Sequence, residues 1–154
     1  MNAGFSSPGR NQVIEIFDHA EAGDIRIPWL QKKATEALPY CLEAPGSEEP
    51  VLPGLSELEV SLVDDDTIGK VHAEFLDDPT PTDVITFHHG EILISVDTAK
   101  REAPVHGNTI EEETLLYLIH GLLHLNGHTD LVEPDRAAMH ETQEKIFRIV
   151  LTSD

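Results

Sequence analysis

The sequence is short of cysteine, of basic residues and of aromatic residues. Cys41 is the single cysteine among 154 residues, so no internal disulfide can form. Ten lysines and arginines stand against 29 aspartates and glutamates, which gives a formal charge of -19. This balance excludes a broad basic surface that could grip a phosphate backbone. Any contact with nucleic acid must therefore be local.

Long apolar runs are missing as well. No run approaches the roughly 18 residues that are needed to span a bilayer, so we expect no membrane contact. The opening segment MNAGFSSPGRNQ also lacks the apolar stretch of a secretory signal. With the lone cysteine, these features predict a cytoplasmic protein. Residues 1–11 are polar and predict a flexible tail, and residues 12–154 predict a single domain with enough apolar residues for one core.

The spacing of apolar residues predicts an α+β fold, with a small mixed sheet packed against several helices. The predicted strands are QVIEIFD, LSELEVSLVDD, and the antiparallel neighbours DVITFHH and EILISVD, joined tightly at Gly90. The predicted helices are WLQKKATEALPYCL, TIGKVHAEFL, DTAKREA, ETLLYLIHGLLHLN, and a last helix that opens at Glu133-Pro134-Asp135. Asp65 or Asp66 is expected to cap the second helix, and Pro104 to end the third. The fourth helix starts with a Thr109/Glu112 capping box and stops at Gly127.

A cluster of histidines is the first feature of the sequence that indicates a possible metal site. The chain has nine histidines, and three of them, His120, His124 and His128, fall within nine consecutive positions. Four residues along a helix make about 400° of rotation and about 6 Å of rise, so His120 and His124 stand on one face. A catalytic zinc site typically takes three protein ligands and leaves a position for water. His128 or Asp130, just beyond the turn at Gly127, could supply the third ligand, and spacing does not choose between them.

The competing interpretation is that His120 and His124 are ordinary buried histidines among leucines. The glycine reversal and the further ligand candidates behind it favour a metal site on a central helix. Gly121 follows His120, where H-E-x-x-H metalloproteases carry the glutamate that acts as general base. A thermolysin-like peptidase is therefore disfavoured, and no side chain is assigned as general base.

Three segments resemble one known family. HGLLHLNGHTD is similar to the H-G-x-L-H-L-x-G-Y-D-H motif of the YbeY family of metal-dependent endoribonucleases. Upstream, PTDVITF resembles the family's P-T-D-V-L-S-F, and GEILIS resembles its G-D-I-x-I-S, in the same order. The resemblance implies a zinc-dependent endoribonuclease that acts in ribosomal RNA maturation and ribosome quality control. It implies RNA as partner, in particular small-subunit ribosomal RNA and the ribosome.

Two departures from the family pattern affect the predicted site. The family's third histidine falls on Asp130, so the resemblance implies the ligand set His120, His124 and Asp130; carboxylate oxygen also binds zinc. His128 falls where the family has tyrosine, and we expect it to be an exposed turn residue or a donor to a ligand. The family arginine that could hold a phosphate falls on Leu76, so that cation is missing.

Other polar residues are interpreted as structural. His88 and His89 are expected in an exposed turn, and Asp83 is expected to hydrogen-bond a turn. Two further functions remain open from the sequence. One is a ribosome-associated protein whose metal site is structural and closed by His128, and the other is a metal-dependent hydrolase of a small substrate that is not RNA.

Overall fold

The computed structural model describes residues 12–76 and 82–153. The predicted flexible tail, residues 1–11, lies outside them. The strands are β1 (Val13–Asp18), β2 (Glu57–Val63), β3 (Val84–Phe87) and β4 (Glu91–Ser95). The helices are α1 (Ile27–Leu42), α2 (Asp65–Leu76), α3 (Val96–His106), α4 (Ile110–Leu125) and α5 (Asp135–Leu151), and Leu52–Gly54 forms one 3₁₀ turn.

The four strands form one mixed sheet in the order β1-β2-β4-β3. β2 pairs parallel with β1 and with β4, while β3 and β4 are antiparallel. Parallel neighbours need a crossover, and α1 supplies it between β1 and β2. Gly90, with φ of 109°, makes the turn between β3 and β4. The predicted α+β class, the mixed sheet and the antiparallel pair are therefore confirmed.

Helices cover both faces of the sheet. On one face Val60, Ile92 and Ile94 join the main core with α1, α4 and α5. On the other face a smaller cluster joins Val63 and Leu93 to α2. The predicted half-buried alternation of β2 is therefore wrong at its second half, where Ser61 is also buried. The reason is that a central parallel strand is covered on both sides, which sequence alternation alone does not reveal.

Helix α4 runs through the middle of the core, as predicted. Five of its apolar side chains are fully buried: Leu115, Leu118, Ile119, Leu122 and Leu123. The predicted capping box is present, because Thr109 Oγ1 accepts from the Glu112 amide at 3.2 Å and Glu112 Oε1 accepts from the Thr109 amide at 2.9 Å. A buried, well-capped helix gives the side chains at its C-terminal end a rigid base.

Two predicted helix ends are wrong. Helix α3 continues through Pro104 and ends at His106, with Gly107 in the left-handed region at φ 73°. Proline near the end of a helix removes only one backbone hydrogen bond, and the glycine provides the stronger stop. At the start of α2 the capping side chain is Asp64, whose Oδ1 accepts from the Thr67 amide at 2.8 Å. Asp65 accepts hydrogen bonds from Ser95 and Arg101 instead.

Candidate metal centre

Three predicted ligands converge at the C-terminal end of α4. His120 Nε2 and His124 Nε2 lie 3.1 Å apart. Asp130 Oδ2, from the segment beyond the turn, lies 3.4 Å from His120 Nε2 and 3.7 Å from His124 Nε2. Within residues 12–76 and 82–153, this is the one group of three histidine, cysteine or acidic side chains with ligand atoms close enough to share an ion.

The triangle of donor atoms has the size that a tetrahedral ion requires. Ligands about 2.0 to 2.1 Å from zinc at tetrahedral angles lie about 3.3 Å from one another. The observed edges of 3.1, 3.4 and 3.7 Å fall around this value. Two imidazoles and a carboxylate are also a donor set that zinc accepts. The residues present therefore fit a transition-metal ion.

The outer nitrogen of each imidazole is held by an acceptor. His120 Nδ1 lies 2.5 Å from Gln143 Oε1 on α5, and His124 Nδ1 lies 3.1 Å from the carbonyl oxygen of His128. Because both partners are oxygen acceptors, each Nδ1 carries the proton and each Nε2 presents its lone pair to the centre. This is the tautomer that a metal ligand needs.

The electrostatics favour the neutral, ligating form of His124. Burial lowers the pKa of His124, the neighbouring His120 lowers it further, and Asp130 partly opposes the shift. Two neutral rings with lone pairs facing each other at 3.1 Å repel, and a cation between them removes the repulsion. The side chain of Asp130 is 43% exposed, so the centre is open to solvent on that side.

His128 is turned away from the centre. Its Nε2 lies 2.6 Å from the carbonyl oxygen of Ala44, and the residue is buried. The prediction of an exposed turn residue is therefore wrong, because the segment after α1 covers this side of the turn. His128 orients His124 through its main-chain carbonyl, and the structure does not bring its ring to the other two histidines.

The turn after α4 is held by backbone hydrogen bonds to the segment that follows α1. Gly127 has φ of 94°, as the prediction of a left-handed stop required. The Gly46 amide donates to the Asn126 carbonyl at 3.0 Å, and the Glu48 amide donates to the Gly127 carbonyl at 2.9 Å. A side chain at Gly46 or Gly127 would collide with the opposite backbone. This pairing fixes the path of the chain between His124 and Asp130.

Gly121 explains why the position after His120 carries no general base. A Cβ at this residue would lie 3.1 Å from Ile92 Cγ2 and 3.2 Å from Thr86 Cγ2. The position faces the sheet at a close approach of α4, so a glutamate side chain there would be crowded by Ile92 and Thr86. The tight packing at Gly121 is therefore a structural reason for glycine at this position.

Two cavities adjoin the metal centre and share His120, His140 and Gln143 as lining residues. The larger has a volume of about 440 Å³ and extends along α4 towards Glu113 and other polar residues. The smaller has a volume of about 200 Å³ and also contacts Asp130 and Arg136. Space for a substrate is therefore present next to the proposed ligands.

Glu113 is a buried acidic residue that lines the larger cavity. Its carboxylate is fully buried and accepts from His106 Nδ1 at 2.8 Å and from Asn108 Nδ2 at 2.9 Å. The pKa of Tyr117 is raised, mainly by burial and further by its hydrogen bond to Glu113. These contacts tie the end of α3 to α4 and give the cavity an acidic character.

The remaining predicted residues have structural places. His88 and His89 are exposed at the β3–β4 turn, as expected, and His89 Nε2 lies 3.1 Å from Glu91 Oε1. Asp83 Oδ1 accepts from the amide of Val84, the first residue of β3, at 2.8 Å. Asp83 also lines the larger cavity, which the sequence did not indicate. The side chain of Leu76 lies outside the described part of the chain.

Sequence reasoning missed the contribution of α5. Gln143, His140 and Arg136 line the cavities beside His120, yet none of them lies in a recognisable motif. One signal was available: Gln143 is a polar residue at helical spacing from the buried Met139 and Phe147, so it belongs to the inward face.

Comparison with known proteins decides the family. A family model described as Endoribonuclease YbeY matches residues 16–150, which is most of the chain. The chain belongs to this family. The resemblance seen in the three sequence segments is thereby confirmed.

Curated members of the YbeY family align over part of the chain. The "Endoribonuclease YbeY" of Protochlamydia amoebophila is 41% identical over 98 residues, covering 56% of this chain and 65% of the relative. That of Heliobacterium modesticaldum is 34% identical over 117 residues, covering 61% of this chain and 70% of the relative. The alignments thus span about two thirds of these relatives' own length.

A solved structure supports the YbeY-like fold over a longer range. TM1509 from Thermotoga maritima, determined in solution, superposes with a TM-score of 0.60 at 26% identity. The superposition covers 90% of this chain and 89% of that protein. Within the described residues, no helix is both long and apolar enough to cross a membrane.

Proposed function

We propose that this chain is a zinc-dependent endoribonuclease that acts in ribosomal RNA maturation and ribosome quality control, with His120, His124 and Asp130 as the zinc ligands. The observation that carries the proposal is the convergence of three donor atoms with edges of 3.1, 3.4 and 3.7 Å. Membership of the YbeY endoribonuclease family supplies the reaction class. The two arguments are independent, because the geometry uses no comparison with relatives.

The chain's own residues hold and shape the centre. Gln143 and the His128 carbonyl keep the two imidazoles in the tautomer that presents Nε2. Asp130 contributes one negative charge and leaves a solvent-facing side. When bound, zinc supplies Lewis acidity towards a phosphoryl oxygen and acidifies a water ligand. No protein side chain is assigned as general base.

The proposed substrate is single-stranded RNA, in particular small-subunit ribosomal RNA in the cytoplasm and on the ribosome. The formal charge of -19 requires that RNA approach through a small region rather than across a broad surface. The smaller cavity beside His120, which Arg136 also lines, provides such a region. Any phosphate contact must come from a residue other than Leu76, where the family pattern has arginine.

A purely structural metal site is less well supported. A closed zinc site needs a fourth protein ligand, and the nearest candidate by sequence, His128, instead donates from Nε2 to the carbonyl oxygen of Ala44. The partial exposure of Asp130 also favours an open position. A hydrolase of a small substrate would use the same centre, so only the choice of substrate separates it from the proposed nuclease.

Metal analysis and RNA cleavage test the proposal together. We expect near-stoichiometric zinc in the parent. His120→Ala and Asp130→Ala each remove a ligand, so their zinc affinity should fall by more than the ten- to hundredfold that follows loss of a group that only orients a ligand. His19→Ala, an exposed histidine on another part of the surface, should keep its zinc. Asp130→His, which introduces the residue of the family pattern, should also bind zinc.

The substrate is tested with the same proteins. The zinc-loaded parent should cleave single-stranded RNA, and Asp130→Ala should lose this cleavage together with its metal. Cleavage of a small ester or amide without cleavage of RNA would assign the centre to the small-substrate hydrolase. Full zinc in Asp130→Ala combined with its loss in His128→Ala would show that the third ligand has been assigned wrongly.

A further inference from the structure

One arginine of α5 faces the proposed metal centre. Arg136 lines the cavity of about 200 Å³ together with two of the three proposed ligands, His120 and Asp130. The other lining residues are Met139, His140 and Gln143. A cationic group therefore shares a small space with the centre, in a chain that carries few cations.

Helix geometry directs Arg136 to this place. Arg136, His140 and Gln143 follow one another at spacings of four and three residues, which puts them on one face of α5. Gln143 anchors that face at the centre through its contact of 2.5 Å with His120 Nδ1. The helix that orients the proposed ligand His120 through Gln143 therefore also places Arg136 beside the metal centre.

The guanidinium keeps donors for a ligand. Arg136 pairs with Glu133 through Nε, at 3.2 Å from Oε2, and both side chains are 58% exposed. Such an exposed pair is weak and screened by salt. Among residues 12–76 and 82–153, no acceptor contacts its two terminal nitrogens, and their fork matches two oxygens of a phosphate group.

Charge at the centre also suits a phosphate. A divalent ion held by one carboxylate and two neutral imidazoles leaves one net positive charge. The guanidinium of Arg136 adds a second positive charge beside it, against a phosphodiester that carries one negative charge. Glu133 offsets part of the Arg136 charge from its exposed side, yet the cavity still brings a cationic side chain next to the metal ligands of a protein whose formal charge is strongly negative.

We infer that Arg136 binds the phosphodiester group of the RNA substrate beside His120 and Asp130, and so holds the reacting phosphate against the metal centre. This inference rests on the proposed function. It also names the residue that can supply the cation which the family pattern places at Leu76.

Phosphate binding tests the inference without using catalysis. Inorganic phosphate is titrated calorimetrically into zinc-loaded parent, Arg136→Ala, Arg136→Lys and the control Arg148→Ala. Arg148 lies on the same helix, about 18 Å from Arg136 by the helical rise. We expect Arg136→Ala to bind phosphate about tenfold to a hundredfold more weakly, with unchanged zinc content. Arg136→Lys should fall between it and the parent, and Arg148→Ala should match the parent.

Removing the competing carboxylate should not weaken phosphate binding. Glu133→Gln releases Arg136 from its ion pair, so its phosphate affinity should equal or exceed that of the parent. With a single-stranded RNA oligonucleotide, Arg136→Ala should raise KM, and the slope of log affinity against log salt should fall by about 0.7 for one lost phosphate contact.

The possible failures are distinguishable. If Arg136→Ala binds phosphate and RNA as the Arg148→Ala control does, the inference is overturned while the nuclease proposal stands. If the parent cleaves no RNA, the proposed function fails. The phosphate titration then tests the inference by itself. A loss of phosphate affinity in Arg136→Ala but not in Arg148→Ala would still assign an anion site to this cavity.

Discussion

The contact between Gln143 and His120 offers the sharpest test of how the metal centre is built. In Gln143→Leu a side chain of similar size replaces the amide, so the oxygen that lies 2.5 Å from His120 Nδ1 is lost. The His120 ring then has no protein acceptor to select the tautomer with Nε2 free. His124 keeps its own acceptor, the His128 carbonyl at 3.1 Å, because that group belongs to the backbone. The substitution therefore perturbs one ligand of three.

The expected magnitude follows from this partial loss. Removing the partner of a ligating histidine weakens metal binding about 10- to 100-fold, or about 1.4 to 2.7 kcal/mol. The cost to folding should be smaller, about 0.5 to 1.5 kcal/mol for one hydrogen bond, because the His120 side chain is 22% exposed and water can replace the lost acceptor. Zinc affinity should thus fall by more than the stability of the metal-free protein.

Chelator competition at pH 7.5 measures the zinc affinity, and urea unfolding of the metal-free protein measures stability. Gln143→Glu should keep the affinity of the parent, because a carboxylate oxygen can accept from the same ring nitrogen. The exposed neighbour Glu141→Gln serves as the control on the same helix. The reasoning is refuted if Gln143→Leu binds zinc within about twofold of the parent, or if Gln143→Glu loses as much affinity as Gln143→Leu.

Two further predictions concern the scaffold. The pKa of Asp65 is lowered, first by its hydrogen bond with Arg101, so Asp65→Asn should reduce the free energy of unfolding by about 1 to 2 kcal/mol at pH 7. That difference should persist above the ordinary carboxyl pKa and disappear as pH falls through the lowered folded-state pKa, as measured by urea unfolding at several pH values. Gly127→Ala should cost about 1 to 3 kcal/mol and weaken zinc binding, because φ is 94° and a Cβ would meet the Glu48 carbonyl. Gly54→Ala, where a Cβ has open space, should leave zinc affinity unchanged; equal losses in both glycine variants would contradict the argument.

The helix that carries the site could be predicted because its signals are local. The capping box at Thr109, the apolar repeat of α4 and the left-handed glycine at Gly127 each depend on residues within a few positions of one another. The one-turn spacing of His120 and His124 likewise fixes their common face through helix geometry alone. The choice of Asp130 over His128 needed the family resemblance, because both residues follow the turn and spacing treats them alike.

Local rules were least successful where two signals competed. Proline at position 104 predicted the end of α3, but the helix continues to His106 before Gly107. The alternation in β2 predicted one exposed face, but Val63 on that face packs against α2, and Ser61 is buried as well. In α3 the stronger of two local signals, Gly107, determined the outcome, whereas in β2 the packing of other elements did.

By itself, the sequence determined the order of helices and strands and the pair of imidazoles on one face of α4, because helical periodicity and caps act over a few residues. Only the tertiary structure decided what surrounds that pair. The Gln143 contact to His120 spans 23 positions, and the Ala44 carbonyl that turns His128 away is 84 positions distant. Such contacts depend on how whole elements pack against one another, and no spacing rule along the chain contains that information.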